Sequence, residues 1–143
     1  MKRFNLFAVA LLVLAVAALG IFPPAHFASA ASDQGYSGFS AKTAAYTLTA
    51  ADSGVTFTNR GASGSVTITL PAVSRDLHFK FVVVAAQAFV VAADTADTLI
   101  SYNDLDLDSV SSNTIGAQME VICDGTSWIL LAPTVGVTYT FND

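Results

Sequence analysis

The sequence predicts a small all-β domain, an antiparallel sandwich or barrel-like fold of about seven to nine strands, behind an N-terminal signal helix. Three observations carry that expectation. From Ala44 onward, apolar and polar residues alternate with the period of two that half-buried strands require. Turn-forming runs separate the alternating stretches at roughly ten-residue spacing. After the first thirty residues, no stretch shows the 3.6-residue period of an amphipathic helix.

The first segment is built for export. Met1-Lys2-Arg3 gives a basic start, and residues 4–22 are apolar apart from Asn5 and Gly20. Pro23 and Pro24 then break any helix, because proline lacks the backbone donor and clashes with the preceding turn. Ala28-Ser29-Ala30 follows as a small-x-small cleavage site, so residues 1–30 read as a signal peptide and the mature chain starts at Ala31. The rival reading is an uncleaved anchor, since the run lies at the short end of the roughly 17–25 residues that span a bilayer. The proline pair and the Ala-Ser-Ala site favour cleavage, a secreted or cell-surface location, and no stable membrane span afterwards. No Cys lies there to accept a lipid, and no Glu precedes Glu120, unlike a type IV pilin. Residues 31–43, rich in Gly and Ser, read as a flexible leader, and residues 44–143 as the all-β domain.

Each strand has its own signal. Val55-Thr56-Phe57-Thr58 alternates, and Ser65-Val66-Thr67-Ile68-Thr69-Leu70 does so more cleanly until Pro71 stops it. Between them Asn59-Arg60-Gly61-Ala62-Ser63-Gly64 is turn chemistry, which predicts a hairpin. His78-Phe79-Lys80-Phe81-Val82-Val83-Val84 alternates and then turns apolar on both faces, as a central strand covered on two sides would. Ala88 to Ala92 and Leu99-Ile100-Ser101-Tyr102 give two short strands. Asp124-Gly125 between Gln118-to-Cys123 and Trp128-to-Leu131 is a strong hairpin signal. Val135 to Phe141 offers a terminal strand.

Composition narrows the function classes. The chain of 143 residues has room for one domain once the export segment is removed. Lys2 and Arg3 leave with that segment, so four bases (Lys42, Arg60, Arg75, Lys80) face eleven acids. Such a surface repels a phosphate backbone, which argues against a nucleic-acid partner. The single cysteine, Cys123, cannot form an internal disulfide and reads as a small buried hydrophobe. Stability then comes from core packing or from assembly with other copies.

Catalytic material is scarce. His26 leaves with the signal, and His78 alone at a strand start reads as a surface or satisfied histidine. Zinc sites and Cys–His pairs therefore have no second ligand or base. No Gly-x-Ser-x-Gly and no phosphate-binding glycine loop occurs, and the expectation is that the protein is not an enzyme. One cluster stands out. In Asp104-Leu105-Asp106-Leu107-Asp108, an extended chain puts three carboxylates on one face and both leucines on the other. Asp104, Asp106 and Asp108 are thus candidate ligands for Ca²⁺, a hard cation that prefers oxygen. Ser109 and Ile115 stand where an EF-hand needs Gly and Glu, so any such site is of another kind. The alternatives are a solvated acidic edge that discourages aggregation and, third, a glycosidase-like carboxylate pair. Tyr36, Tyr46, Tyr102, Trp128 and Tyr139 include candidates for a sugar-stacking platform, with Trp128 read as core.

The run from Thr47 through Asp52-Ser53-Gly54-Val55-Thr56-Phe57-Thr58-Asn59-Arg60-Gly61-Ala62 leads into Val66-Thr67-Ile68-Thr69-Leu70-Pro71. It is followed by Phe79-Lys80-Phe81-Val82-Val83-Val84 and by Val121-Ile122-Cys123-Asp124-Gly125-Thr126-Ser127-Trp128. In this order the motifs resemble a small β module of tailed-phage virion and tail-associated proteins, over roughly Tyr46 to Leu131. The resemblance implies a non-enzymatic structural role in repeated or oligomeric surface assemblies. Virion proteins assemble in the cytoplasm without an export signal, whereas this chain begins with one. The leading expectation is therefore a secreted, self-associating structural module. The alternative is an extracellular module binding a surface glycan, with or without Ca²⁺.

Overall fold

Residues 38–101, 104–131 and 133–143 are described by the computed structural model, and among them twelve strands form two mixed sheets. The signal peptide expected over residues 1–30, and the leader as far as residue 37, lie outside the described residues. One sheet holds seven strands: β1 (Gly38–Ala41), β3 (Val55–Thr58), β5 (His78–Val82), β7 (Leu99–Ser101), β8 (Asp104–Leu107), β10 (Gln118–Cys123) and β11 (Trp128–Leu130). The other holds five: β2 (Tyr46–Thr47), β4 (Val66–Thr69), β6 (Phe89–Ala92), β9 (Ser109–Ser112) and β12 (Thr140–Asn142). Their orders are β1-β3-β5-β10-β11-β7-β8 and β12-β9-β6-β4-β2. The expected all-β sandwich is what forms, but its sheets are mixed rather than antiparallel, because strands that alternate between the sheets meet their neighbours in parallel. It has more strands than the alternation reveals: β1, β2 and β9 are additional, β1 lying in the Gly/Ser run and β2 being too short, at two residues, to register as a period. Among the described residues no helix is long and apolar enough to cross a membrane.

The first six strands are wound rather than folded back. β1, β3 and β5 lie parallel in one sheet, while β2, β4 and β6 lie parallel in the other. The chain therefore crosses the core at every step. This corrects the hairpin expected between β3 and β4, which sit in different sheets. The reason is pairing: β3 finds parallel partners in β1 and β5, and β4 in β2 and β6, so Phe57 and the pair Val66 and Ile68 enter the core from opposite sheets. The β10–β11 hairpin, by contrast, forms as expected, with Cys123 opposite Trp128.

Aromatic rings fill the space between the sheets. Phe57 stacks on Phe81 at 6.0 Å, and Phe81 meets Phe89 of the opposite sheet edge-on at 5.9 Å. Trp128 packs 5.6 Å from Phe79 and donates from Nε1 to the Pro71 carbonyl, 3.2 Å away. It is fully buried, as its core reading required. Cys123 is a buried free thiol, again as expected.

The corners of the winding rest on polar side chains. After β2, a 3-10 turn over Ala50–Asp52 closes with the Thr49 N–H donating to the Asp52 carboxylate at 2.8 Å. Gly54, at φ +84°, then turns the chain into β3 while its N–H donates to the His78 carbonyl. A glycine suits this left-handed conformation because it has no Cβ. Beyond β3, Asn59 is fully buried and uses its whole amide. Its Oδ1 accepts from Val84 and Ala85 N–H at 2.8 and 2.9 Å, and Nδ2 donates to the Ala85 and Gln87 carbonyls at 3.0 Å. The β3–β4 and β5–β6 corners are thereby tied together, and no buried side-chain N or O among the described residues lacks a partner.

Two further expectations change. Gly38-Phe39-Ser40-Ala41 was read as leader, yet it forms β1, parallel to β3 in the register Phe39↔Thr56. Backbone pairing to an existing strand outweighs the Gly/Ser composition there. β5 is central in its sheet, but the described residues put no layer over its outer face. Val82 and Val84 are only half-buried.

Candidate functional site

The acidic cluster lies where the chain turns from the last strand of one sheet into the other. Leu99 pairs with Leu107 and Ser101 with Asp104, so β8 carries one extra residue between two pairs, a β-bulge. An extra residue switches the face of everything beyond it. Leu107 is consequently buried while Leu105 is 75% exposed. The expected arrangement, with both leucines on one face and three carboxylates on the other, does not form. Asp104 Oδ1 accepts from the Asp106 N–H at 3.1 Å. Asp108 stands at the corner before β9, its backbone N–H donating to the Asn142 carbonyl at 2.9 Å. Among the described residues no group of three His, Cys, Asp or Glu side chains is placed to hold a metal ion.

The aromatic candidates are likewise committed. Tyr36 and Tyr102 lie outside the described residues. Tyr46 lies beneath Lys42, whose Nζ is 3.3 Å from the ring centroid. Tyr139 acts as a strut: its hydroxyl donates to the Gln118 carbonyl at 2.8 Å and accepts from the Gln118 and Thr134 N–H groups. His78 sits at the start of β5, half-buried, with its N–H donating to Ser53 Oγ at 3.1 Å.

At the β10–β11 hairpin, Asp124 Oδ1 accepts from the Ser127 and Thr126 N–H groups at 2.9 and 2.8 Å. The Ser127 and then the Thr126 donor hold this carboxyl below its ordinary value, and the nearby Arg75 charge acts in the same sense. Gly125, at φ +97°, passes Arg75 so closely that a Cβ there would lie 3.4 Å from the Arg75 Cβ.

The features that sequence reasoning missed are exposed apolar side chains on strands that end the sheets. Phe39 on β1 is 82% exposed, Leu105 on β8 is 75%, and Phe141 on β12 is 43%. Ile115, Leu131 and Val135 are exposed as well, but they lie in connections between strands. Phe39 borders a shallow groove of about 410 Å³ on the outer face of β1, β3 and β5, with Arg60, Val82 and Val84 on its walls. An aromatic within a Gly/Ser run was the available signal for Phe39. The Leu105 signal was cancelled by the bulge, which no local pattern announces.

Charge is unequal between the two ends of the sandwich: among the described residues the β1/β2 end carries two bases and Asp52, which is tied to Thr49, and the other end only acids. Lys42, directly after β1, and Arg60, directly after β3, lie at the end formed by β1 and β2. Asp104, Asp106, Asp108 and Asp143 lie at the end formed by β8 and β12. Compared with protein-family models and with curated proteins, the chain matches none.

Proposed function

We propose that the chain is a secreted, non-enzymatic structural module that self-associates through the ends of its sheets, in the manner implied by its resemblance to phage virion modules. One observation carries this reading: β1, β8 and β12, each the last strand on its side of a sheet, all expose a large apolar side chain. Terminal strands already offer unpaired backbone groups, and proteins that stay monomeric blunt them with charge, proline or cover. β1, reading Gly-Phe-Ser-Ala, has neither charge nor proline. Export through residues 1–30 supports an extracellular place of assembly. Light scattering on the secreted protein over a concentration series tests the reading, and the expected result is mass rising with concentration. A constant monomer mass at the highest concentration refutes it. N-terminal sequencing of the secreted protein should begin at Ala31.

A glycan-binding module is the second reading, favoured by the exposed Phe39 ring beside Thr56, Lys80 and Gln118 on an open groove. A glycan array run with and without chelator tests it, and binding lost in Phe39→Ala is the result that supports it.

A further inference from the structure

Building on that self-association, we infer that copies join head to tail, the β1/β2 end of one against the β8/β12 end of the next. This inference rests on the proposed function and adds which surfaces meet and why.

Strand direction permits the contact. β8 runs antiparallel to β1, because β1, β3, β5, β11 and β7 share a direction and β8 reverses it. β12 runs parallel to β2, since β9 reverses relative to β6 and β12 reverses again. A second copy translated along the sheets thus brings an antiparallel edge to β1 and a parallel edge to β2. Both pairings are ordinary ladder geometry.

Side-chain placement agrees with it. Phe39 is in register with Thr56, whose neighbours Ser40 and Phe57 face the core side, so Phe39 projects from the outer face. Leu105 projects from that same outer face, because the bulge separates it from the buried Leu107. On the other sheet, Phe141 is in register with the buried Val110, and Tyr46 with the buried Ile68. Both therefore lean to the core side. Head-to-tail stacking sets Leu105 beside Phe39 on the outside and Phe141 beside Tyr46 on the inside, so that the apolar layer runs on from one copy to the next.

Charge decides the polarity. Lys42 and Arg60 outnumber Asp52 at the head, where Thr49 holds the Asp52 carboxylate, and Asp104, Asp106, Asp108 and Asp143 mark the tail. Two tails repel, two heads repel, and only unlike ends attract. The acidic bulged edge that would discourage pairing with its own kind fits a cationic apolar edge. Such a contact is heterologous, so repetition gives a ring or an open filament rather than a closed pair.

Charge reversal tests this on the secreted protein, with folding checked by circular dichroism. Lys42→Glu/Arg60→Glu makes both ends acidic, and Asp104→Lys/Asp106→Lys/Asp108→Lys/Asp143→Lys makes the tail cationic like the head. Each variant alone should weaken association at least roughly tenfold, and an equimolar mixture of the two should restore it. Arg60→Glu alone, which leaves the Lys42–Tyr46 contact in place, should weaken it in the same direction. Rising ionic strength should weaken the wild-type assembly. Folded variants that associate as the wild type does, or a mixture that stays dissociated, overturn the head-to-tail contact while leaving self-association standing. A wild-type protein that is monomeric throughout overturns the proposed function itself.

Discussion

In β1 to β6 each strand lies parallel to the one two steps before it, and every connection is a corner that carries the chain across the core. In β7 to β12 two steps turn back within one sheet instead, β7–β8 and β10–β11, while the others still cross. The two regions share one aromatic core but solve the turn differently. A hairpin satisfies its backbone through the ladder it creates, and its turn residues are local. A corner opens no ladder between the strands it joins, so buried backbone groups there need side-chain partners. Asn59 is that partner in the wound half. Asp124 and Gly125 do the corresponding work for the hairpin.

The largest effect should come from the residue that joins the two regions. Trp128 lies on β11, packs on Phe79 of β5 and bonds to the Pro71 carbonyl between β4 and β5. Trp128→Ala should destabilise the domain by about 3–5 kcal/mol, measured by urea unfolding followed by circular dichroism. Trp128→Phe keeps most of the volume and should cost clearly less. If both variants unfold at the wild-type midpoint, the halves are not joined through this side chain.

Asn59→Ala should come next, at about 2–4 kcal/mol, because four hydrogen bonds of about 1 kcal/mol each are lost from a buried site. Native-state hydrogen exchange locates the damage. The Val84 and Ala85 amides, which donate to Oδ1, should lose protection, whereas amides of β10 and β11 should keep theirs. Asn59→Asp is the sharper variant: it preserves both acceptor contacts but turns a carboxylate oxygen toward the Ala85 and Gln87 carbonyls. Uniform loss of protection across both halves would mean that the corner is not a separate unit.

The same contrast explains what the sequence makes legible. The all-β sandwich is written in the alternation of Val66, Ile68 and Leu70 with threonines, and the β10–β11 hairpin in Asp124-Gly125. Winding leaves no such mark. A strand that crosses to the opposite sheet keeps the same inward alternation as one that folds back, so β3 and β4 read as a hairpin. The buried role of Asn59 was hidden for a related reason, since asparagine in a Gly/Ser run is ordinary turn chemistry on the surface. The shared face expected for Leu105 and Leu107 is lost to the β8 bulge, because alternation gives a face only while the register is unbroken. Exposed Phe39 was lost in a stretch whose composition suggested leader.

The smallest effect belongs to the hairpin turn, and pH isolates it. Asp124 is fully exposed, and its carboxylate is stabilised by the Ser127 and Thr126 N–H groups, so its folded value lies below the unfolded one. A group of this sign contributes its full stabilisation above its unfolded value and loses it as pH falls through the lowered folded value. Asp124→Asn retains a carbonyl acceptor for the two N–H groups but carries no titration. The variant should therefore unfold slightly earlier than the wild type near neutrality, and the gap should close on the acid side. Thermal midpoints from pH 7 downward measure it. A gap that stays constant with pH would show that the carboxylate charge is irrelevant to the turn, leaving Gly125 and its φ of +97° as the feature that shapes it.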